Sequence, residues 1–146
     1  MLPSPPPYQT AYADDSAFID AFERRALPFP EWCHAAHIRM AWIYLTRHGF
    51  DGALDRARRG IRAYNEANKV VDAPLSGYHE TLTQAWLRVV NATIRGQDPC
   101  ATSMEFLDAQ PHLRVRTLLR VFYSKARMLS PEAKLTFLPP DLAALP

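Results

Sequence analysis

Two cysteines, Cys33 and Cys100, are too few for a disulfide framework, so a reduced chain is expected. Cys33 is also poorly placed to share a metal with its neighbour His34, which projects roughly 100 degrees away around a helix. An excess of one charge is missing too. Seventeen basic against 15 acidic residues leave a net charge of +2, and the arginines are scattered among acidic neighbours, which excludes a nucleic-acid-binding stripe. No run reaches the roughly 18 apolar residues of a membrane span, and the N-terminus lacks the charged and apolar regions of a secretory signal. The expectation is therefore no membrane association and a cytoplasmic location. The five glycines form no phosphate-binding loop, and neither an internal repeat nor an alternating strand pattern is present.

What is present reads as one helical domain. The apolar fraction of 48% with 22% charged residues is that of a packed globular protein. Pro3, Pro5, Pro6 and Pro7 make residues 1–12 a flexible or extended arm, leaving 13–146 as the domain. Asp14 or Asp15 caps a first helix with Phe18, Ile19, Phe22 and Ala26 on one face, stopped by Pro28 and Pro30. A second runs from about Glu31 to Arg47, with Ile38, Ala41, Trp42 and Leu45 inward and Gly49 as its stop. A third carries the stripe Leu54, Ala57, Ile61, Tyr64 and Asn68, leaving Arg56, Arg58, Arg59 and Arg62 as a solvated face. A loop covers about 69–77. The fourth helix spans Tyr78 to about Arg95 and turns Leu82, Ala85, Trp86 and Val89 inward. Shorter helices are expected over Ser103–Ala109, over Leu113–Phe122 and after the capping Ser130. The fold class is all-α: a single-domain bundle of four main helices with short extras.

Two polar clusters stand out. His34 and His37 lie three residues apart at a helix start, close enough on one face to converge on a single ion, and Tyr78-His79-Glu80-Thr81 begins another helix. A third imidazole from His79 would complete three nitrogen ligands for a divalent zinc or iron, with a water or Glu80 in the fourth position. Glu80 then reads as the catalytic base or a further ligand, and Thr83, one turn on, as a group that orients His79. The competing reading is a metal-free hydrogen-bond network that fixes helix packing. Glu31 and His34 match one half of a di-iron Glu-x-x-His signature, but no second half exists. His48, beside Gly49, reads as a helix-end dipole partner. Trp32, Trp42, Tyr44, Tyr64 and Trp86 fall at helical spacings that suit core ahead of a ligand box, with room for some to do both, and the pocket candidates are Trp42, Tyr44, Tyr64, Tyr78, Thr83 and Trp86.

The stretch Trp32-Cys33-His34-Ala35-Ala36-His37, Tyr64-Asn65, Tyr78-His79-Glu80-Thr81-Leu82-Thr83, Tyr123-Ser124 and Pro140-Asp141-Leu142 resembles a widespread family of small, mostly bacterial uncharacterised helical proteins, over about residues 28–146. The resemblance implies a helical fold with His34, His37, His79, Glu80 and Thr83 at its polar positions. It departs from that pattern at Ala36, where relatives often carry an acidic residue. A second likeness is architectural: DinB-like bundles hold a metal with three histidines from two helices, at a different spacing. Together these readings give a site of His34, His37, His79 and Glu80 beside an aromatic pocket. It would serve a metal-assisted hydrolase or an oxygen-using enzyme, or alternatively a non-enzymatic module binding a small ligand. A symmetric homodimer is a further expectation.

Overall fold

Asp14 opens helix α1 (Asp15–Glu23) by accepting the Ala17 N–H at 2.9 Å, and Phe18, Ile19, Ala21 and Phe22 are buried along it. The structure is a computed structural model describing residues 12–146. Residues 1–11 of the expected arm lie outside that range, while Tyr12 packs against the core. After α1 the chain turns through Pro28 and Pro30, which form a 3-10 turn over Phe29–Glu31. The second helix was expected from Glu31 but starts three residues later. Trp32 takes ψ 62° and Cys33 is extended, so that the Trp32 ring stacks 4.5 Å from Phe22 of α1. Aromatic burial here outweighs the local helical pattern.

Helix α2 (His34–Ala67) contains both the second and third expected helices. They meet at Gly49, whose φ of 71° and ψ of −177° break the helical path in a conformation few other residues adopt without strain. The first half buries Ala36, Ile38, Met40, Ala41, Trp42, Ile43, Tyr44 and Leu45, and so is enclosed nearly all round as the central helix. His48 is exposed just before the kink. In the second half, Gly60 lets α1 come close: a Cβ there would lie 2.7 Å from the Phe22 ring.

Helix α3 (Glu80–Arg95) packs chiefly on α2 and buries Ala85, Leu87, Val89 and Val90. It begins two residues later than expected because His79 serves as its cap. Helix α4 (Ser103–Ala109) is capped by Thr102, with Glu105 reaching back to the Ala101 N–H. The helix expected over 113–122 is instead two 3-10 turns, Pro111–Arg114 and Leu118–Val121, separated by extended Val115. His34 occupies the Leu113 carbonyl that a continuing α-helix would need for residue 117. Two short helices follow, α5 (Lys125–Met128) and α6 (Pro131–Leu135), capped by Ser124 and Ser130. The C-terminal segment is tied back by Asp141, which accepts from the Ser124 N–H and hydroxyl, and by Tyr123, which donates to the Leu138 carbonyl.

The result is an all-α bundle of α1, the two halves of α2, and α3, closed by the shorter helices. Buried Arg39 joins three of them: it donates to Ser103 at 2.8 Å, pairs with Asp15 at 3.3 Å, and lies 4.1 Å over the Phe18 ring. Among the described residues no helix is long and apolar enough to cross a membrane.

Candidate functional site

The three histidines singled out by their spacing all line one cavity of about 700 Å³, between the start of α2, the start of α3 and residues 113–116. Each ring donates to a backbone carbonyl, and because a carbonyl only accepts, each bond places a hydrogen on a particular nitrogen. His34 donates from Nε2 to Leu113 at 2.8 Å, and His37 from Nδ1 to Cys33 at 2.8 Å. His79 donates from Nε2 to Met128 at 2.9 Å, while its Nδ1 accepts the Leu82 N–H at 3.1 Å as the cap of α3. Both nitrogens of His79 are thus committed within the protein.

Burial pushes all three imidazoles toward neutrality. His37 falls to about 4, because desolvation outweighs its bond to Cys33 and the nearby His34 and Arg116 charges oppose protonation further. His34 and His79 are lowered from 6.5 by the same dominant cause, with Arg116 and Lys134, respectively, adding repulsion. The rings are held by aromatic neighbours: Trp32 lies 3.9 Å from His37, and Trp86 4.8 Å from His34, centroid to centroid.

This donor set does not fit the expected three-histidine metal centre. Among the described residues no group of three or more His, Cys, Asp or Glu side chains is arranged to hold a metal ion. His79 has no lone pair to offer without giving up the α3 cap, and the His34 nitrogen that remains is Nδ1.

Glu80 does not line the cavity. Its carboxylate accepts from Arg58 Nε at 2.8 and 3.1 Å, from Arg58 Nη2 at 2.7 Å, from Gln84 at 2.7 Å and from Tyr78 at 3.0 Å. Burial raises its pKa, but the donors of Arg58, Gln84 and Tyr78 outweigh it and hold the group below the ordinary carboxylate value. A carboxylate so occupied is a weak base, and its geometry is that of an anchor joining α2 to α3 instead of the expected catalytic base. Thr83 donates to the His79 carbonyl at 2.8 Å, supporting the turn that carries the imidazole.

The expected aromatic wall divides. Tyr78, Thr83 and Trp86 line the cavity, whereas Trp42, Tyr44 and Tyr64 do not. Trp42 packs 6.1 Å from Phe106, Tyr44 donates to Glu23 at 2.8 Å, and fully buried Tyr64 donates to the Leu27 carbonyl at 2.8 Å. Their helical spacing signals burial without telling a core from a pocket.

Several site residues escape a reading of spacing alone. Arg114 and Arg116 stand at the cavity's edge, and Arg58 and Arg62 are not merely a solvated face, whereas Trp32, read from its spacing as core with room for a second role, is both the stack on α1 and a wall of the cavity. Arg58 holds Glu80, and Arg62 lies 4.5 Å over the Tyr78 ring. Arg58 is one helical turn from both Leu54 and Ile61, a flanking position from which an arginine can reach a partner helix. The remaining walls are apolar, including Met40, Leu82 and Leu87. Comparison with protein-family models, with curated proteins and with solved structures found no match.

Proposed function

We propose that this chain is a binding protein for a small aromatic molecule, held in the cavity between Trp32 and Trp86 by neutral histidines without a metal. The observation that carries this reading is the common bonding of His34, His37 and His79: each gives its N–H to a backbone carbonyl, and all three open onto one aromatic-walled cavity. A volume of about 700 Å³ suits a drug-sized ligand, and a mostly apolar wall with a few fixed polar groups is the usual composition of such sites. The three tryptophans provide the test. Binding aromatic fragments should shift the indole N–H signals of Trp32 and Trp86 and leave that of Trp42 in place. Fragments that shift none of the three, or only Trp42, would overturn the reading. So would near-stoichiometric zinc or iron that is lost on His34→Ala and His37→Ala.

A further inference from the structure

The cavity carries two polar features that the binding reading does not use, and both constrain what fits. His37 spends its Nδ1 hydrogen on Cys33, so its Nε2 carries a lone pair, and no donor among the described residues meets that nitrogen. No fully buried side-chain nitrogen or oxygen among the described residues lacks a partner, so Nε2 is not sealed in the core. His37 lines the cavity with its ring 3.9 Å from that of Trp32, so the cavity is the route by which a donor can reach the lone pair. Among the described residues it is an acceptor without a donor.

The second feature is cationic. The bond from His34 to the Leu113 carbonyl draws residues 113–116 over the start of α2, and this carries Arg114 and Arg116 to the cavity wall. Arg116 forms no ion pair among the described residues, and its charge is close enough to act on both His34 and His37. Among the described residues no acidic side chain lines the cavity. An arginine without a carboxylate, beside imidazoles that stay neutral, leaves net positive potential at the cavity's edge.

We propose that the ligand is a small aromatic carboxylate that also bears a hydroxyl: its anion lies on Arg116 at the edge of the cavity, its ring between Trp32 and Trp86, and its hydroxyl donates to Nε2 of His37. This inference rests on the binding reading above and adds the chemical class of the ligand. A guanidinium presents paired N–H donors that match a carboxylate, and the ring's hydroxyl supplies the hydrogen that Nε2 lacks. A ligand without a donor would leave the His37 lone pair desolvated and unpaired.

The test uses the full chain with p-hydroxycinnamate, p-hydroxycinnamamide and cinnamate as probes. Affinities are read by calorimetry at neutral pH and low ionic strength, and location by the Trp32 and Trp86 indole signals. The carboxylate should bind about fivefold more tightly than the amide, the modest factor reflecting the exposed position of Arg116, and Arg116→Gln should reduce this preference to within about twofold. The hydroxylated acid should bind about fivefold more tightly than cinnamate; His37→Phe should remove that preference, and Arg116→Gln should keep it. In His37→Phe the preference for the carboxylate over the amide should persist, which distinguishes loss of the acceptor from loss of the fold. If all three probes shift the indoles with equal affinity, or the preferences survive both substitutions, the ligand class is wrong while the cavity reading stands. If no probe reaches the indoles, both fall.

Discussion

Acidification should weaken this domain through His37 before the carboxylates contribute. In the folded protein His37 takes up a proton only near 4, against 6.5 for an ordinary histidine. Between these values the unfolded chain binds the proton and the folded one does not, so stability falls as the pH falls. Above 6.5 the contribution is complete, and below about 4 it is gone. The difference is about 2 to 3 kcal/mol at 1.36 kcal/mol per pH unit, after allowance for the contact of Nε2 with the cavity. His34 and His79 shift in the same direction and add to the trend. Urea unfolding followed by circular dichroism across this pH window, on the wild type and His37→Phe, isolates the His37 part. The variant keeps a ring against Trp32 but loses the bond to the Cys33 carbonyl, so it should start about 1 kcal/mol less stable at neutral pH and fall less steeply in acid. Parallel slopes for the two proteins would refute the assignment of a neutral, desolvated His37.

Two further perturbations probe the frame that holds the site. Glu80→Gln removes the charge that Arg58, Gln84 and Tyr78 surround. Because Arg58 is 37% exposed and can return to water, the cost should be about 2 kcal/mol and not that of a sealed ion pair, read as a fall in Tm of roughly 6 °C. Glu80 has a lowered folded value, so its contribution is present above the ordinary 4.5 and is lost as the pH drops through the folded value; the gap between wild type and variant should close in acid. Gly60→Ala would push a methyl to 2.7 Å from the Phe22 ring and should cost about 1 to 3 kcal/mol in denaturant melts, whereas an unchanged midpoint would mean that α1 moves freely against α2.

Local signals were enough for the helices whose caps are local. Ser130 caps as expected, the structure takes Asp14 from the pair Asp14 or Asp15 and Thr102 from the pair Thr102 or Ser103, and Gly49 divides α2 at the expected point. The elements that differ do so for tertiary reasons: Trp32 leaves the helical path to stack on Phe22, and Leu113 gives its carbonyl to a histidine 79 residues away. The same contrast runs through the site. Spacing brought His34, His37 and His79 to one place, yet it carries no information on which ring nitrogen holds the hydrogen, and that bonding disfavours the three-histidine metal centre. Glu80 stood out by its position beside His79, while its partner Arg58 lies on a different helix and is known only once the two pack. Arg114 and Arg116 belong to a segment with no periodicity of its own, placed by the His34 bond.

The central claim is that the three imidazoles are neutral hydrogen-bonding groups, and nitrogen-15 spectra of the histidine rings at neutral pH test it most directly. The structure predicts hydrogen on Nε2 in His34 and His79 and on Nδ1 in His37, with the opposite nitrogen of each ring bare. Rings carrying hydrogen on both nitrogens, or nitrogens of His34 and His79 displaced together by a bound metal and restored by a chelator, would contradict it.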